Sequence, residues 1–433
     1  MSVKEPRIGT LAIGDELLTG RIADTNTSFV GDALFARGSR LACARVVPDE
    51  ISVIQEAVTE LAAKLDFLVV FGGLGPTSDD KTTEAIARML GCPTVPHEPS
   101  REKLNRYLAG RKRLVTAAAE KQLLVPSAAE AIANPVGLAP AFVVSGLVGR
   151  GGCTCFFLPG VPAEMKAIFS RDILPRLIGA IPGDTSEPPV WRCIGIPEAE
   201  LQELLGPLEA RLPAGAWLGY RTRFPENHVT LYRRAGVSIP ADLHGSIEAV
   251  LRPFCYQRGR EEPEEAVLAA LRRGRAILVL AESCTGGLVA QRLTALPGAS
   301  DHVWGSYVVY RREAKLAMLG VSVPTDEAAV SAQTTRELAV RALEKSGAGF
   351  AAAVTGYLGP TGGTDADPVG TLYLCVARAG ARGPFLEKKK WQPNPDRVAA
   401  QWGAATWILV ELLGALEKCY SSSLAATTEL PTT

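Results

Sequence analysis

Residues 66–91, DFLVVFGGLGPTSDDKTTEAIARMLG, contain an apolar run, a glycine-rich loop and a segment with apolar residues at helical spacing. This succession predicts a strand buried on both faces, followed by a helix. The same alternation precedes it: RIGTLAIG (7–14) and RLACARVV (40–47) predict strands, and TNTSFVGDALFARG (25–38) and ISVIQEAVTELAAKL (51–65) predict helices. Strands that alternate with helices predict a mainly parallel sheet, in which ligands bind beyond the carboxyl ends of the strands.

The sequence pattern of the remaining chain changes twice, which suggests further domain boundaries. At roughly 150 residues per domain, the 433 residues suggest about three domains. We expect a first α/β domain at 1–185, ending in the linker-like GDTSEPP, and a small α+β connector domain at 186–258. A second α/β domain with a mainly parallel sheet is predicted at 259–420, because strand-like and helix-like segments alternate again. Residues 421–433 lack periodicity, which predicts a disordered tail.

Composition excludes several classes of protein. The chain has 46 Lys and Arg against 46 Asp and Glu, a formal net charge of zero, and 47% hydrophobic residues. It is therefore neither a disordered chain nor a strongly basic nucleic-acid binder. Its one basic run, KKK at 388–390, is interpreted as a solvated strand end. The N-terminus lacks a signal-cleavage pattern, and the longest uncharged run, 131–149, is interrupted by prolines. We expect a soluble cytoplasmic protein with no direct nucleic-acid or membrane partner.

Cysteine and histidine usage bears on metal and redox chemistry. Nine cysteines at scattered positions favour reduced, mostly buried thiols over a disulfide framework. Cys153 and Cys155 alternate with Phe157 on one face of a predicted strand, so core packing is the favoured interpretation. The four histidines are dispersed, so any divalent cation would be bound by carboxylates and phosphates.

Glycine and acidic residues gather where strands of the first domain are predicted to end. Three loops supply them: GDE at 14–16, GGLGPTSDD at 72–80 and LPGVPAE at 158–164. Glycines let the backbone approach an anion, and free N–H groups at a helix N-terminus can bind phosphate. Carboxylates beside a diphosphate need a bridging cation, which predicts Mg²⁺. Alternatively, GGLGPT is a tight turn and Asp79 and Asp80 are helix N-caps. The predicted metal ligands are Asp15, Glu16, Asp79 and Asp80.

A second candidate site lies in AILVLAESCTGG at 276–287, which predicts a buried strand running into a helix. Ser283 and Thr285 lie in the turn, where Gly286 and Gly287 leave N–H groups for an anion or a developing oxyanion. A nucleophilic serine needs a base.

No histidine lies in this motif, so the candidate base is Lys315 in SYVVYRREAK (306–315), which also contains Tyr310. A third loop, in FAAAVTGYLGPTGG (350–363), brings Thr355 and Gly356 to the same sheet edge. The alternative is that Ser283 caps the helix, the tyrosine is a half-buried strand residue and the lysine lies on a solvated helix face.

Several motifs of the first domain resemble one known domain. IGDELLTGRIADTN, VVFGGLGPTSDDKTTEAIA, NPVGLAPAF and FFLPGVPAEMKAIF are similar to the molybdopterin-binding-like domain at the N-terminus of the competence/damage-inducible CinA family, over about residues 6–180. The resemblance implies a molybdenum-cofactor-biosynthesis fold and metal-dependent hydrolysis of ADP-ribose. Ala141 departs from a usual glycine, and Lys81 beside the aspartates can change metal affinity. The nucleotide site implied by the residues and the resemblance comprises Gly14, Asp15, Glu16, Asn26, Gly72, Gly73, Gly75, Thr77, Asp79 and Asp80.

The last domain resembles the C-terminal domain of the same family. AESCTGGLVAQRLTALPGAS, YVVYRREAKLAMLGV, AVTGYLGPTGGTDADPVGTLY and NPDRVAAQ carry this similarity to the nicotinamide-nucleotide amidases, over about residues 262–417. It implies hydrolysis of the carboxamide of nicotinamide mononucleotide to nicotinic acid mononucleotide and ammonia, without a cofactor, by a homodimer. Arg312 and Tyr357 depart from the family pattern. The implied roles are Ser283 as nucleophile, Lys315 as base, Tyr310 as its assistant, Thr355 as a substrate or oxyanion contact, and Arg397 as a phosphate ligand.

The leading hypothesis is an enzyme of pyridine-nucleotide salvage with an amidase site and a pyrophosphatase-like site. Both expected substrates, nicotinamide mononucleotide and ADP-ribose, are nucleotide products of NAD breakdown, which makes two sites on one chain chemically coherent. Two alternatives stay open at this point. One is a nucleotide-binding or regulatory protein linked to competence whose sites have decayed, and the other is a molybdopterin-binding protein.

Overall fold

The structure is a computed structural model that describes residues 5–109, 115–147, 152–181, 186–234, 236–381 and 385–427, with side chains described as far as residue 421. Its residues cluster in two compact units. The first comprises Met1–Pro188, Pro213–Trp217 and Tyr232–Ile239, and the second comprises Pro189–Leu212, Leu218–Leu231 and Pro240–Thr433. The predicted division into three domains stays a prediction.

The first unit is an α/β structure in which strands and helices alternate as the sequence predicts. Its strands are β1 (Ile8–Ile13), β2 (Leu41–Val47), β3 (Phe67–Phe71), β4 (Thr94–Pro96), β5 (Leu124–Pro126), β6 (Glu130–Ile132), β7 (Ala141–Ser145) and β8 (Thr154–Leu158). Its helices are α1 (Asp15–Leu18), α2 (Thr25–Phe35), α3 (Ile51–Ala62), α4 (Thr82–Leu90), α5 (Glu98–Ala109), α6 (Ala117–Lys121), α7 (Pro162–Ile168) and α8 (Leu174–Ala180), the last two joined by a π-helical turn at Phe169–Ile173.

Six of these strands form one sheet in the order β2-β1-β3-β8-β7-β6. The pairs β1–β2, β1–β3 and β3–β8 are parallel, whereas the pairs β7–β8 and β6–β7 are antiparallel. Val69 packs on one face of the sheet and Val70 on the other, each in its own buried cluster. Burial on both faces is the reason that the central strand is wholly apolar. Because β1, β3 and β8 are parallel neighbours, the loops that follow them lie at one edge.

Cys153 and Cys155 are both buried, with exposed fractions of 3% and 0%. They belong to the cluster that contains Phe157. Their core-packing interpretation is confirmed, and all nine cysteines are free thiols, as the scattered spacing predicts.

The segment predicted as a connector forms a four-stranded sheet with two helices. The sheet order is β10-β11-β9-β12, and β9 pairs antiparallel with both β11 and β12. The elements are β9 (Val190–Ile194), α9 (Glu198–Glu209), β10 (Ala216–Arg223), β11 (Glu226–Arg233), α10 (Ala241–Leu251) and β12 (Cys255–Arg258).

A buried ion pair crosses this sheet. Arg192 donates to Glu226 at 2.8 Å, and both side chains are almost fully buried. Glu226 also accepts a hydrogen bond of 2.6 Å from the Tyr256 hydroxyl and lies 3.1 Å from His228 Nε2. Burial alone would raise the pKa of Glu226, but the His228 hydrogen bond and the Arg192 charge outweigh it and lower the pKa to about 2. Arg192 Nη2 also donates to Glu262, the N-cap of the next helix, at 3.0 Å.

The rest of the second unit is another α/β structure. Its strands are β13 (Leu278–Glu282), β14 (Val303–Val308), β15 (Phe350–Gly356), β16 (Thr371–Arg378) and β17 (Leu386–Trp391). Its helices are α11 (Pro263–Gly274), α12 (Leu288–Thr294), α13 (Arg312–Leu319), α14 (Ala332–Ser346) and α15 (Arg397–Thr427). The sheet order is β14-β13-β15-β16-β17, in which β14, β13 and β15 are parallel and the pairs β15–β16 and β16–β17 are antiparallel.

The long helix α15 is part of the core of this α/β structure. Residues Arg397–Ser421 are long and apolar enough to cross a membrane by length and composition, but 67% of the most apolar window is buried within the protein. Leu409, Leu412 and Leu416 are completely buried in the core cluster. The helix continues to Thr427, so the prediction of disorder from residue 421 is wrong for 421–427. Residues 428–433 of the predicted tail lie outside the described part.

The basic run at 388–390 lies in the edge strand β17, as its interpretation as a solvated strand end predicts. Lys389 forms an ion pair of 2.7 Å with Asp367, and Lys390 forms one of 2.9 Å with Glu411. Lys390 also lies over the ring of Trp407. Two of the three charges are therefore compensated locally.

Candidate functional sites

A cavity of about 440 Å³ opens at the carboxyl edge of the first sheet. The loops after β1, β3 and β8 line it, as the parallel topology requires. Asp15 and Thr77 are absent from its lining, although the sequence places them in the site. The predicted residues that do line it are Gly14, Glu16, Asn26, Gly72, Gly73, Gly75, Asp79 and Asp80.

Two of the cavity glycines are required by the fold itself. Gly72 has φ 104°, and a Cβ added there would lie 2.1 Å from the carbonyl oxygen of Ile13. Gly73 has φ 68°, and its added Cβ would lie 2.1 Å from Thr82 Oγ1. No side chain fits either position without displacing the neighbouring strand or helix. The glycines thus shape the loop, whether or not they also admit a ligand.

The two loop aspartates do not cap the following helix. The N-cap of α4 is Lys81, and no side chain caps this helix end. Asp80 instead accepts hydrogen bonds from the backbone N–H of Thr77 at 2.8 Å and from its hydroxyl at 2.5 Å. The nearby Thr77 side chain, together with the charges of Lys121 and Lys81, lowers the pKa of Asp79. The helix-cap interpretation is therefore wrong, and Thr77 acts within the loop.

Asp49 is a cavity residue that the sequence reasoning missed. It follows β2 in VPDE, and its carboxylate accepts the backbone N–H of Asp15 at 3.0 Å. Burial raises its pKa, and the nearby charges of Asp15, Glu16 and Asp79 raise it further. The sequence signal that could have identified Asp49 is its position at the end of β2, the strand beside β1.

The acidic residues do not form a ready-made metal site. Among the described residues, no three His, Cys, Asp or Glu side chains are arranged to hold a metal ion. Asn26 donates from Nδ2 to the carbonyl of Gly160 at 2.8 Å, while its buried Oδ1 has no partner in the described chain. Every charged side chain in the described lining is acidic: Glu16, Asp24, Asp49, Asp79, Asp80 and Glu164.

The second site is built on Ser283, which follows β13, and Lys315, which lies in α13. Lys315 Nζ lies 3.1 Å from Ser283 Oγ. The amine is 1% exposed, and the serine is 6% exposed. Nζ also donates to the carbonyl oxygens of Val309 at 2.8 Å and Tyr310 at 3.2 Å. The interpretation of Lys315 as a solvated surface residue is wrong.

Burial lowers the pKa of Lys315 from its ordinary value, because the charged form is poorly solvated there. Two carbonyl oxygens and one hydroxyl match the three N–H donors of the charged amine, and they also match the two donors and one lone pair of the neutral amine. In the neutral form, the lone pair can accept the Ser283 proton without movement of Nζ. A serine beside a deprotonated lysine is the arrangement that nucleophilic catalysis needs.

Glu282, immediately before the serine, organises the turn. This residue is 1% exposed. Its Oε2 accepts hydrogen bonds from Thr285 Oγ1 at 2.8 Å, Gly287 N at 3.1 Å and Val289 N at 3.0 Å. Its Oε1 accepts from Ala290 N at 3.0 Å and Ser306 Oγ at 3.0 Å. The carboxylate therefore occupies the N-terminus of α12, where an external anion would otherwise bind.

This network changes what the predicted binding residues can do. The Thr285 hydroxyl and the Gly287 N–H are bound to Glu282, and Gly286 N–H bonds the carbonyl of Ser283 at 3.2 Å. The three groups predicted to bind a substrate or oxyanion are thus occupied inside the protein. The N-cap of α12 is Gly287 with no side-chain bond, so the serine is not a helix cap.

Tyr310 and Arg397 contact each other in the structure. The Tyr310 hydroxyl accepts a hydrogen bond of 3.0 Å from Arg397 Nη2, and the tyrosine is 58% exposed. Lys315 contacts only the main-chain carbonyl of this tyrosine. Arg397 Nη1 donates to the carbonyl of Gly359.

Thr355 is completely buried, and its hydroxyl lies 2.7 Å from that of Thr335 on α14. Thr335 Oγ1 in turn donates to the carbonyl of Ser331. In the structure Thr355 therefore packs against α14, and its predicted role as a substrate or oxyanion contact stays a prediction. The neighbouring Gly356 is sterically required, since a Cβ there would lie 2.8 Å from the Thr371 carbonyl oxygen.

The two departures from the family pattern lie beside the site rather than in it. Arg312 forms an ion pair of 2.6 Å with Asp326. Tyr357 donates to the carbonyl of Glu327 at 3.3 Å. The depressed pKa of Lys315 arises from burial and not from Arg312.

Comparison with known proteins matches a family model to each of the two regions that hold these residues. The family model for the CinA C-terminal domain matches residues 260–412, and the model for a probable molybdopterin binding domain matches residues 9–178. A CinA-like protein of Citrifermentans bemidjiense is 39% identical over 399 residues, covering 90% of this chain and 94% of the relative. The chain belongs to the CinA family. A CinA-like protein of Myxococcus xanthus is 38% identical over 86% of this chain and 90% of its own.

Solved structures of CinA proteins match single parts of the chain. The CinA protein of Thermoplasma acidophilum, described as of unknown function, is 30% identical, covers 40% of this chain and 98% of its own, and gives a TM-score of 0.35. A competence/damage-inducible protein of Agrobacterium tumefaciens is 34% identical over 36% of this chain and 97% of its own, with a TM-score of 0.34.

Proposed function

We propose that the C-terminal α/β region of this CinA-family protein is an amidase that hydrolyses nicotinamide mononucleotide to nicotinic acid mononucleotide and ammonia. The observation that carries the proposal is the buried contact of 3.1 Å between Lys315 Nζ and Ser283 Oγ. Burial lowers the pKa of this lysine, so the neutral amine that can act as the base for the serine is more populated than in an exposed lysine.

In the proposed reaction, Ser283 Oγ attacks the carboxamide carbon while its proton moves to Lys315 Nζ. The resulting tetrahedral intermediate breaks its C–N bond, and the lysine returns the proton to the departing nitrogen, so that ammonia leaves. Water then attacks the acyl-enzyme, giving its proton to the same amine. Breakage of the ester releases the carboxylate product, and the serine regains its proton. Ser283 and Lys315 suffice for every proton transfer in this scheme.

The oxyanion of the intermediate needs hydrogen-bond donors that the folded turn does not already use. Glu282 and Ser283 occupy the N–H groups of Gly287 and Gly286. We therefore propose the N–H groups of Cys284 and Thr285, next to the nucleophile, as the oxyanion donors.

Ammonia release from nicotinamide mononucleotide by the full chain tests the proposal. We expect turnover by the wild type, none by Ser283→Ala or Lys315→Ala, and no effect of EDTA. Lys345→Ala, which changes a lysine near the end of α14, is the matched control and should keep full activity. Absence of ammonia from a folded wild-type protein would refute the amidase function.

For the N-terminal cavity we propose a nucleotide whose phosphates are bridged to the protein by a divalent cation. The acidic lining supports this, since phosphate alone would be repelled. Protein carboxylates would supply part of the coordination, and ligand oxygens the rest, because the described residues hold no complete ligand set. Hydrolysis of ADP-ribose there is a proposal from family resemblance, and release of AMP with and without Mg²⁺ tests it.

A further inference from the structure

Two cysteines face each other across β9 and β12, neighbouring strands of the four-stranded sheet. Cys193 on β9 and Cys255 on β12 are register partners in this antiparallel pair. The N–H of Ile194 donates to the carbonyl oxygen of Phe254 at 3.1 Å. The adjacent cysteines therefore form a non-hydrogen-bonded pair, in which Cα atoms lie about 4.5 Å apart. A disulfide needs Cα atoms about 4.4–6.8 Å apart, so the strand register allows one here.

Cys153 and Cys155, the other close pair of thiols, are less suited to a disulfide. Their Sγ atoms lie 3.9 Å apart, but the residues occupy alternate positions of one extended segment. Such residues have Cα atoms about 6.6 Å apart, close to the upper limit for a disulfide. Both side chains are also buried in the core of the first unit. The cross-strand pair is therefore the stronger candidate.

Cys255 is accessible to a small molecule, whereas Cys193 is not. Cys255 is partly exposed and lines a cavity of about 230 Å³. Cys193 is completely buried and is absent from the lining of this cavity. The charged residues of the lining are Arg252, Arg258 and Glu248, which leaves an excess of positive charge. Positive surroundings favour a thiolate and attract an anionic oxidant.

The two thiols also differ in acidity. Contact with Cys255 and burial both raise the pKa of Cys193. Contact with Cys193 lowers the pKa of Cys255, although burial opposes this shift. In the reduced protein the Cys255 thiol donates to the carbonyl oxygen of Gln257 at 3.1 Å. An accessible, more acidic thiol beside a buried, less acidic one is suited to attack an oxidant first and to be resolved by its neighbour.

We propose that Cys193 and Cys255 are a reversible modification site, at which a low-molecular-weight disulfide oxidises the two thiols to a cross-strand disulfide. The Cys255 thiolate attacks one sulfur of the oxidant and displaces a first thiol, which leaves a mixed disulfide on Cys255. Cys193 then loses its proton, attacks Cys255 Sγ and displaces the second thiol. Two protein thiols are oxidised, and the disulfide of the oxidant is reduced to two thiols.

The cross-link would stabilise the second unit. It ties the edge strand β12 to β9, which is itself anchored to the amidase region: Ile194 belongs to that core cluster, and Arg192 donates to Glu262 at the start of α11. Closing the chain between the two cysteines restricts the unfolded state. We expect oxidation to raise the Tm by about 5–10 °C. The inference does not depend on the proposed amidase function.

Treatment of the reduced full chain with glutathione disulfide tests the proposal. The reaction is run at about pH 8, near the ordinary thiol pKa, remaining thiols are alkylated, and peptides are mapped by mass spectrometry. The proteins are the wild type, Cys193→Ala, Cys255→Ala and the control Cys92→Ala, which removes another partly exposed cysteine. We expect the wild type and the control to yield cross-linked peptides containing residues 193 and 255, which dithiothreitol separates.

The single variants separate the two roles. Cys193→Ala should keep one glutathione on Cys255, whereas Cys255→Ala should leave Cys193 free and alkylated only after unfolding. The rise in Tm should appear in the oxidised wild type and be absent from Cys193→Ala. A folded wild type in which both cysteines stay free would overturn the proposal. A lasting glutathione adduct on Cys255 of the wild type would overturn the role of Cys193. If either variant fails to fold, the wild-type peptide map and Tm decide alone.

Discussion

Lys315 Nζ lies 3.1 Å from Ser283 Oγ, and both residues are buried at the edge of the second α/β sheet. The amine donates hydrogen bonds to two main-chain carbonyl oxygens, so the backbone fixes its position. Desolvation favours the neutral amine, and the neutral amine is the form that can accept the serine proton. This contact therefore places the lysine within hydrogen-bond distance of the serine, and the burial of the lysine favours the protonation state that can accept the serine proton.

Lys315→Met should abolish ammonia release and leave the protein folded. Methionine fills a similar volume, but the carbonyl oxygens of Val309 and Tyr310 lose their donor, so we expect a Tm somewhat below that of the wild type. Activity should fall at least about a thousandfold, as when an activating base is lost. Ammonia assays and thermal unfolding measured side by side test both parts. A variant that retains wild-type kcat would rule out the lysine as base.

The pH profile of the wild type follows from the same residue. A base works only when it is deprotonated, so kcat/KM should rise with pH through the pKa of Lys315. Burial lowers that pKa, which places the rising limb below the ordinary lysine value of 10.5. Measurement of kcat/KM between pH 6 and pH 10, a range of about four units below the ordinary lysine pKa, tests the expectation. A profile that is flat over this interval would contradict it.

Glu282→Ala should destabilise the second unit and lower turnover. The substitution leaves five donors around the turn without their acceptor, and loss of such a buried charged acceptor costs about 3–5 kcal/mol. Ser306→Ala removes one of these donors but keeps the carboxylate, so it should cost only about 1 kcal/mol. Urea unfolding of both variants provides the comparison. Equal losses would show that the carboxylate does not organise the turn.

The strands and helices of the first domain could be predicted from sequence because their apolar runs are buried on both faces. The strand β3, for example, contains no polar residue, and glycines mark its end. Parallel topology then fixes which loops meet, so the cavity edge follows from the strand order. The proximity of Ser283 and Lys315 could be predicted from the same kind of topological argument.

The directions of the side chains could not be predicted from the sequence. Spacing brings Tyr310 near Lys315, but only the structure shows that its hydroxyl turns to Arg397. Thr355 lies at the expected strand end, yet its side chain points into the packing against α14. Asp49 was missed because its strand-end position is shared by many structural aspartates. In each case the deciding contact comes from a residue distant in sequence.

Acid should weaken the buried pair of Arg192 and Glu226. The folded-state pKa of Glu226 is about 2, below the ordinary value of 4.5, so its stabilisation is complete above pH 4.5 and is lost as the pH falls toward 2. The full shift corresponds to about 3 kcal/mol in the free energy of unfolding. Urea titrations from pH 6 to pH 2, a range of about four units that spans both pKa values, should show this loss. Glu226→Gln should show a shallower dependence on pH, and an identical slope in the two proteins would contradict the assignment.

Gly72→Ala should disrupt the N-terminal cavity and leave the amidase site intact. An alanine there would combine φ 104° with a Cβ at 2.1 Å from the Ile13 carbonyl oxygen, so β1 or the loop must move, at a cost of several kcal/mol, about 2–4 by analogy with other strained or overpacked sites. Gly179→Ala is the matched control, since nothing lies within 4 Å of its added Cβ and it is in helix α8, where alanine is favoured. Thermal unfolding reports the loss of stability, and ammonia release reports the state of the amidase site, so the two measurements together distinguish effects on the two regions. Loss of ammonia release in a Gly72→Ala protein whose second unit stays folded would show that the amidase depends on the N-terminal cavity.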